Sequence, residues 1–269
     1  MQECNSAWLI CWSVMMLVRP KHFWQNLSGT HGLGIGMRKT LSSLVIAMVL
    51  LGWSGAASAG DFQRGLKAYE AGDYATALGE WRDLANEGHA GAQSFLGSMY
   101  LAGRGVARDY AEAEKWFWLA AEQGDALAQF GLGQMYRKGA GVAQDHAEAA
   151  NWYELAAEKG LAEAQRRLGN LYLKGQGVTQ DYPQAAKWYV LAAEQGDAGA
   201  QINLGEMYGN GQGVIQDFVF AHMWFNIAAA SGIEKAVRGR DAVAKKMTLT
   251  QIAEAQKMAR EWMEKHQAQ

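Results

Sequence analysis

Residues 126–161 read ALAQFGLGQMYRKGAGVAQDHAEAANWYELAAEKGL, and the same 36-residue line recurs at 90–125, 162–197 and 198–233 without insertion. A fixed period of about 20–50 residues marks units that stack on one another. Within the line, Ala128, Leu132, Met135 and Tyr136 fall at i, i+4, i+7 and i+8, one face of a helix. Gly139 and Gly141 end that helix, because glycine tolerates the left-handed conformation past a helix C-terminus. Asp145 with Glu148 three residues on then predicts a capping box opening a second helix. The pair recurs as Asp109/Glu112 and Asp181/Gln184, and fails at Asp217/Phe220. The second helix places Ala149, Trp152, Tyr153 and Ala156 inward, and Gly160 stops it.

Two recurring features invite a chemical reading and are better explained as scaffold. Gly97, Gly133, Gly169 and Gly205 sit in the middle of the first helix, where glycine costs about 1 kcal/mol relative to alanine. That expense predicts a helix passing too close for a Cβ, and a mid-helix position is wrong for binding phosphate. Trp116, Trp152, Trp188 and Trp224, each followed by Phe or Tyr, are predicted to be core. Burying each such side chain contributes roughly 2–3 kcal/mol. Pro183 falls in the first turn of its helix, where it breaks nothing.

The pattern A-x-A-Q-x-x-L-G-x-M-Y, G-x-G-V-x-x-D-Y, A-x-x-W-Y-x-x-A-A-x-x-G resembles the Sel-one-like repeat family, a branch of the tetratricopeptide-like helical repeats. The resemblance spans Ala90 to Ile233. It implies an all-α fold, a right-handed α-solenoid of stacked antiparallel helix pairs. It also implies an adaptor role, since such arrays hold other proteins together in secretion, quality control, envelope signalling and host interaction.

The flanks extend the array to about twelve helices. Residues 60–89 read as a tetratricopeptide-like N-terminal capping unit, with a tighter turn at Ala71-Gly72-Asp73 and with Ala77, Trp81, Leu84 and Ala85 inward. Residues 234–269 abandon the repeat and predict a C-terminal helical cap. Ala236, Val243 and Met247 line one helix, and a Thr248/Gln251 capping box opens another carrying Ile252, Ala255, Ala259 and Trp262. Met223 and Phe220 replace polar residues of the other copies and read as the seat of that cap, or as an exposed patch for a partner.

Residues 37–59 have the anatomy of a secretory signal peptide: Arg38-Lys39, a largely apolar run of thirteen residues from Leu41 to Trp53, and Ala57-Ser58-Ala59. Cleavage is expected after Ala59, and the apolar run is short of the about twenty residues that span a bilayer. Residues 1–36 then read as an over-long start ahead of Met37, or else Ala7–Val18 acts as a second apolar segment that delays cleavage. Residues 1–59 hold both cysteines, four basic residues and one acidic residue, which leaves 21 basic and 26 acidic residues beyond them, net −5. That balance argues against nucleic-acid binding. A chain from residue 60 has no cysteine, so a periplasmic or secreted product would carry no disulfide and rely on packing.

No metal, cofactor or catalytic constellation is expected. His89, His146, His222 and His266 form no ligand motif, and neither H-E-x-x-H nor G-x-S-x-G occurs. Glu122, Glu158 and Glu194 recur one unit apart and read as a solvated face, although stacked units could bring carboxylates toward the about 5–10 Å that hydrolysis uses. A branch of the family linked to β-lactam-like compounds carries paired cysteines, which this chain lacks.

In a helical solenoid of this kind the first helix of each pair lines the concave side. Partner-binding candidates are therefore first-helix residues that differ between copies. They are Ser94 and Ser98; Phe130, Gln134 and Arg137; Arg166, Asn170 and Lys174; and Ile202, Glu206 and Asn210. Phe130 beside Arg137, Arg166 and neighbouring cations is a hot-spot composition suited to an acidic or mixed peptide. The leading expectation is an exported scaffold for protein partners. The alternative is a glycan-binding module for peptidoglycan or exopolysaccharide, with Trp118 stacking on sugars, and a hydrolase is a third reading.

Overall fold

The computed structural model describes residues 60–267; the readings placed on residues 1–59 lie outside them. Among the described residues there are twelve helices and no strand. The leading pair is α1 (Phe62–Glu70) and α2 (Tyr74–Asn86). Unit 1 is α3 (Ala90–Ala102) and α4 (Tyr110–Glu122), and unit 2 is α5 (Ala126–Lys138) and α6 (His146–Glu158). Unit 3 is α7 (Ala162–Lys174) and α8 (Tyr182–Glu194), and unit 4 is α9 (Ala198–Asn210) and α10 (Phe218–Ala229). The chain closes with α11 (Glu234–Ala244) and α12 (Leu249–Gln267).

Each helix packs on the next one in sequence from α1 to α11, which is the connectivity of stacked antiparallel pairs. First helices also approach one another across units, α3 on α5 and α9 on α11. These approaches bring the first helices into one row, the inner row, while α12 packs on the second helix α10.

Gly103, Gly139, Gly175 and Gly211 end the first helices in the left-handed conformation, at φ of 64–69°. Asp109, Asp145, Asp181 and Asp217 cap the second helices, their carboxylates accepting backbone N–H groups at 2.8–3.1 Å. The return half of the expected capping box is not made. Each Asp amide instead donates to the carbonyl of Tyr100, Tyr136, Tyr172 or Tyr208, at 2.9–3.1 Å. The loop folds back onto the first helix, so the amide satisfies one of that helix's orphan carbonyls. Glu112 is left to pair with Lys115 at 3.3 Å, and Phe220 can replace a glutamate without loss of the cap. At Thr248 and Gln251, which have no such preceding loop, the box closes in both directions.

The mid-helix glycines are explained first by a ring, with the backbone of the passing helix close as well at Gly133, where a Cβ would stand 3.3 Å from the Ala149 carbonyl oxygen. A Cβ at Gly97, Gly133, Gly169 or Gly205 would stand 2.6–2.8 Å from Phe117, Tyr153, Tyr189 or Phe225 respectively. These aromatics, one residue after each tryptophan, are the deep core. The tryptophan row is shallower than expected: Trp116 and Trp224 are buried, and Trp152 and Trp188 are half-buried. Trp152 packs on the core around Phe117, and Trp188 on the core around Tyr153. The ring after the tryptophan thus fills its own unit, while the tryptophan wedges against the preceding one.

A buried glutamine fastens most units. Gln93, Gln165 and Gln201 donate to the carbonyls of Ala85, Ala157 and Ala193 at 3.0–3.2 Å. Gln123 and Gln195, from the turns after α4 and α8, donate to the Oε1 of Gln93 and Gln165 at 2.8 Å. In unit 2 the corresponding residue is Lys159, and Gln129 Oε1 is buried with no partner. The turn at Lys159 differs again at the next helix start, where Leu161 gives no side-chain cap and Asp125 and Asp197 do.

At the N-terminal end Trp81 is fully buried, stacked on Phe95 at 4.4 Å. At the other end α12 turns back onto α10. Ala259 joins the core with Met223, Trp224 and Ile227. Of the two apolar replacements in unit 4, Met223 is therefore covered, while Phe220 remains exposed and stacks on Tyr208.

Candidate functional site

The first-helix residues that differ between copies gather around two hollows on the inner row. The first, of about 240 Å³, lies between units 1 and 2. Ser94, Ser98, Phe130 and Gln134 line it, together with Tyr69, Phe95, Leu101, Phe117 and Leu127. Phe130 is only 8% exposed and packs 5.5 Å from the Tyr153 ring. It forms a floor and does not protrude as an anchor, because a flat ring at that position is drawn into the seam with the next unit. Ser94 is buried and donates to the Gly91 carbonyl, and Ser98 donates to the Ser94 carbonyl.

The second hollow, of about 230 Å³, lies between units 3 and 4 and is lined by Arg166, Asn170, Gly199, Ile202, Asn203 and Lys235. Its charges are already matched. Arg166 Nε lies 2.9 Å from Asp197 Oδ2, and Lys235 Nζ lies 2.8 Å from Glu206 Oε1. Arg167 pairs with Glu163 at 3.3 Å. Two of the expected cations, Arg166 and Arg167, are thus neutralised from within. Lys174 and Asn210 sit exposed at helix ends and line neither hollow.

Between the hollows, the tyrosines of units 2 and 3 reach the inner row. Arg137 Nε donates to the Tyr153 hydroxyl at 3.3 Å. The Tyr189 hydroxyl donates to Asn170 Oδ1 at 2.8 Å, and Asn203 donates to the same oxygen at 3.2 Å. Burial pushes both phenols above their ordinary pKa, with Arg137 opposing the shift at Tyr153. Both stay neutral hydroxyls and serve as fixed hydrogen-bonding groups.

Asn203, Lys235, Leu127, Phe95 and Tyr69 were not among the sequence candidates. Asn203 and Phe95 do vary with the copy, at the position Gly131 and Arg167 hold in units 2 and 3, and that signal was available. Lys235 and Tyr69 come from the flanks, where no register with the repeat points to them.

The histidines and acids are dispersed. His222 is buried on α10. Burial lowers its pKa, Arg240 lowers it further, and Asp241 opposes. Glu122 and Glu158 are exposed, and Glu194 meets His266 Nε2 at 3.3 Å. Among the described residues no group of three or more His, Cys, Asp and Glu side chains is placed to hold a metal ion, and no helix is long and apolar enough to cross a membrane.

A family model for the Sel1 repeat matches residues 90–125, 126–161, 162–197 and 198–233, more than half the chain. The chain belongs to the Sel1 repeat family. A solved protective antigen of uropathogenic Escherichia coli strains, displaying an SLR fold, is 37% identical with a TM-score of 0.70. The alignment covers 76% of this chain and 45% of that one, so this chain spans less than half of that protein's length. A solved Sel1 repeat protein of Oxalobacter formigenes is 29% identical with a TM-score of 0.60, over 76% of this chain and 98% of that one. No curated protein matches the chain. Sel1 repeats are in general protein-interaction scaffolds, and both hollows lie wholly or partly within the Sel1 units.

Proposed function

We propose that this Sel1 array is a non-catalytic scaffold that holds a protein or peptide segment along its first-helix row. One observation carries the reading. The residues common to all copies fill the core, whereas residues that change from copy to copy line two open hollows on one row. The first hollow is floored by Phe130, Phe117 and Leu127 and rimmed by Ser98 and Gln134, which suits an apolar side chain. The second offers the amides of Asn170 and Asn203 beside matched ion pairs, which suits polar or backbone groups. The ligand is thus a mixed segment, apolar at one end and hydrogen-bonding at the other, rather than a strongly acidic one. Export to the periplasm or beyond, with a role in envelope assembly, signalling or host interaction, belongs to the same proposal. The signal-like order of residues 37–59 and the similarity to a protective antigen support it.

A photo-reactive side chain at Gln134 or Asn203 is expected to yield a discrete protein adduct in the native cell. Ser98→Trp, which plugs the first hollow, is expected to abolish the adduct at Gln134. Adducts that persist with the hollow filled would refute the inner-row reading. Sedimentation with purified cell-wall material, lost on Trp118→Ala, would replace it with the glycan reading. N-terminal sequencing of the native protein tests export, with Gly60 expected as the first residue.

A further inference from the structure

We propose that the second-helix row carries a separate docking site on unit 3, which receives an amphipathic helix of a partner protein much as unit 4 receives α12. The starting point is one position in four copies. Leu119, Leu155 and Leu191 are 40%, 43% and 48% exposed, whereas Ile227 is 4% exposed. The difference is α12. Its Ala259 packs into the core beside Trp224 and Ile227, with Met258, Trp262 and Met263 around it. The Trp262 ring lies 6.0 Å from that of Trp224, and one turn later His266 reaches Glu194 of unit 3 at 3.3 Å. The receptor for α12 is therefore a tryptophan, a branched aliphatic residue one turn on, and a carboxylate from the preceding unit.

That receptor recurs. Unit 3 presents Trp188, Leu191 and, from unit 2, Glu158 at the matching positions. Unit 2 presents Trp152, Leu155 and Glu122, but there Trp118 stands edge-on to Trp152 at 4.9 Å. Unit 1 lacks the acid, since its matching position is Asn86. Unit 3 alone has the full set with no aromatic across its tryptophan. Leu191 and Val190 also border an open trough of about 500 Å³ with Ala186 and Val214. The site is continuous with the α10–α12 interface, because Glu194, which ends α8, already contacts α12.

The chemistry of the occupant follows from α12. It is a helix with small residues on its contact face, an aromatic one turn further and, one turn beyond that, an N–H donor to meet Glu158. Lys187 stands where unit 4 has Met223, so the unit 3 seat is less apolar and fits a helix that comes and goes. This chain's own α12 is engaged on unit 4, and the seat on unit 3 is accordingly assigned to a helix of another protein.

The test uses a fluorescently labelled synthetic peptide of Leu249–Gln267 as a surrogate helix, titrated into the full-length protein and read by anisotropy. Saturable binding is expected, weakened at least tenfold by Leu191→Asp and to a lesser degree by Glu158→Gln. Leu191→Ser, with a thermal melt on each variant, separates lost binding from lost folding. Absence of saturable binding overturns the proposal. Binding that ignores Leu191→Asp and is lost with Ile227→Asp would mean that the peptide exchanges with α12, and also overturns it. A dimer in sedimentation that disperses on Leu191→Asp would assign the seat to a second copy and reject a foreign helix.

Discussion

Units 2 and 3 differ from units 1 and 4 at one buried slot. Under the mid-helix glycine the inner pair of units holds Tyr153 and Tyr189, and the outer pair holds Phe117 and Phe225. The rings do the same packing. The hydroxyls do not, since a buried hydroxyl must find a partner on the inner row: that of Tyr153 accepts from Arg137 Nε and that of Tyr189 donates to Asn170 Oδ1. Two residues that vary between copies, and so look like binding residues, thereby each give one polar group to the scaffold of the middle units, Arg137 its Nε and Asn170 its Oδ1. The variable row is part open hollow and part lid on the core, and the identity of a single aromatic decides which side chains are drawn into the lid.

The largest way to break this comparison is to remove the shared part. Tyr153→Ala should lower the free energy of unfolding by about 3–5 kcal/mol in urea, and Phe117→Ala by a similar amount, because the ring and not the hydroxyl fills the slot under the glycine. Removing the partner comes next. Asn170→Ala strands the Tyr189 hydroxyl and should cost about 1–3 kcal/mol, most of it recovered in the Asn170→Ala/Tyr189→Phe double variant. A full cost persisting in the double variant would show that Asn170 acts through Asn203 instead.

Smaller effects sharpen differences among the copies. Lys159→Gln restores to unit 2 the fastening that Gln123 and Gln195 supply in units 1 and 3. It should raise stability by about 1 kcal/mol, by giving Gln129 Oε1 a partner. The least effect concerns His222, whose place in units 2 and 3 is taken by alanine. Its folded pKa is lowered, so the native state binds fewer protons than the unfolded chain. Its contribution is complete above the ordinary histidine pKa of about 6.5 and is lost as pH falls through that value toward the folded one. The melting temperature of the native protein should therefore fall between pH 7.5 and 5 more steeply than that of His222→Leu.

Much of the fold could be read from the chain because it is written in local terms. A glycine past a helix end, an aspartate before a helix start and an apolar period of 3.6 involve residues within a turn of each other. The site was harder because its determinants are not local. Arg166 reads as a free cation until Asp197, 31 residues on at the far end of the same 36-residue line, arrives beside it. Phe130 reads as an anchor until the next unit closes over one side of it. Trp152 and Tyr153 are adjacent in sequence and equally apolar in pattern, and only the stacking decides that the first faces a neighbour and the second faces its own unit. The capping box failed for a related reason, since the competing acceptor, Tyr136 O, lies nine residues back across a loop.

The turn after α6 has Lys159 and Leu161 where the turns after α4 and α8 have a glutamine and an aspartate. It is thus without the latch to the first-helix row and without the helix cap that its two neighbours possess. The seam there, where α6 packs on α7, is thus held by side-chain packing without those two fastenings. One hollow lies wholly before that turn and the other wholly after it, so a substitution in the turn reaches the spacing of the two hollows without touching the wall of either.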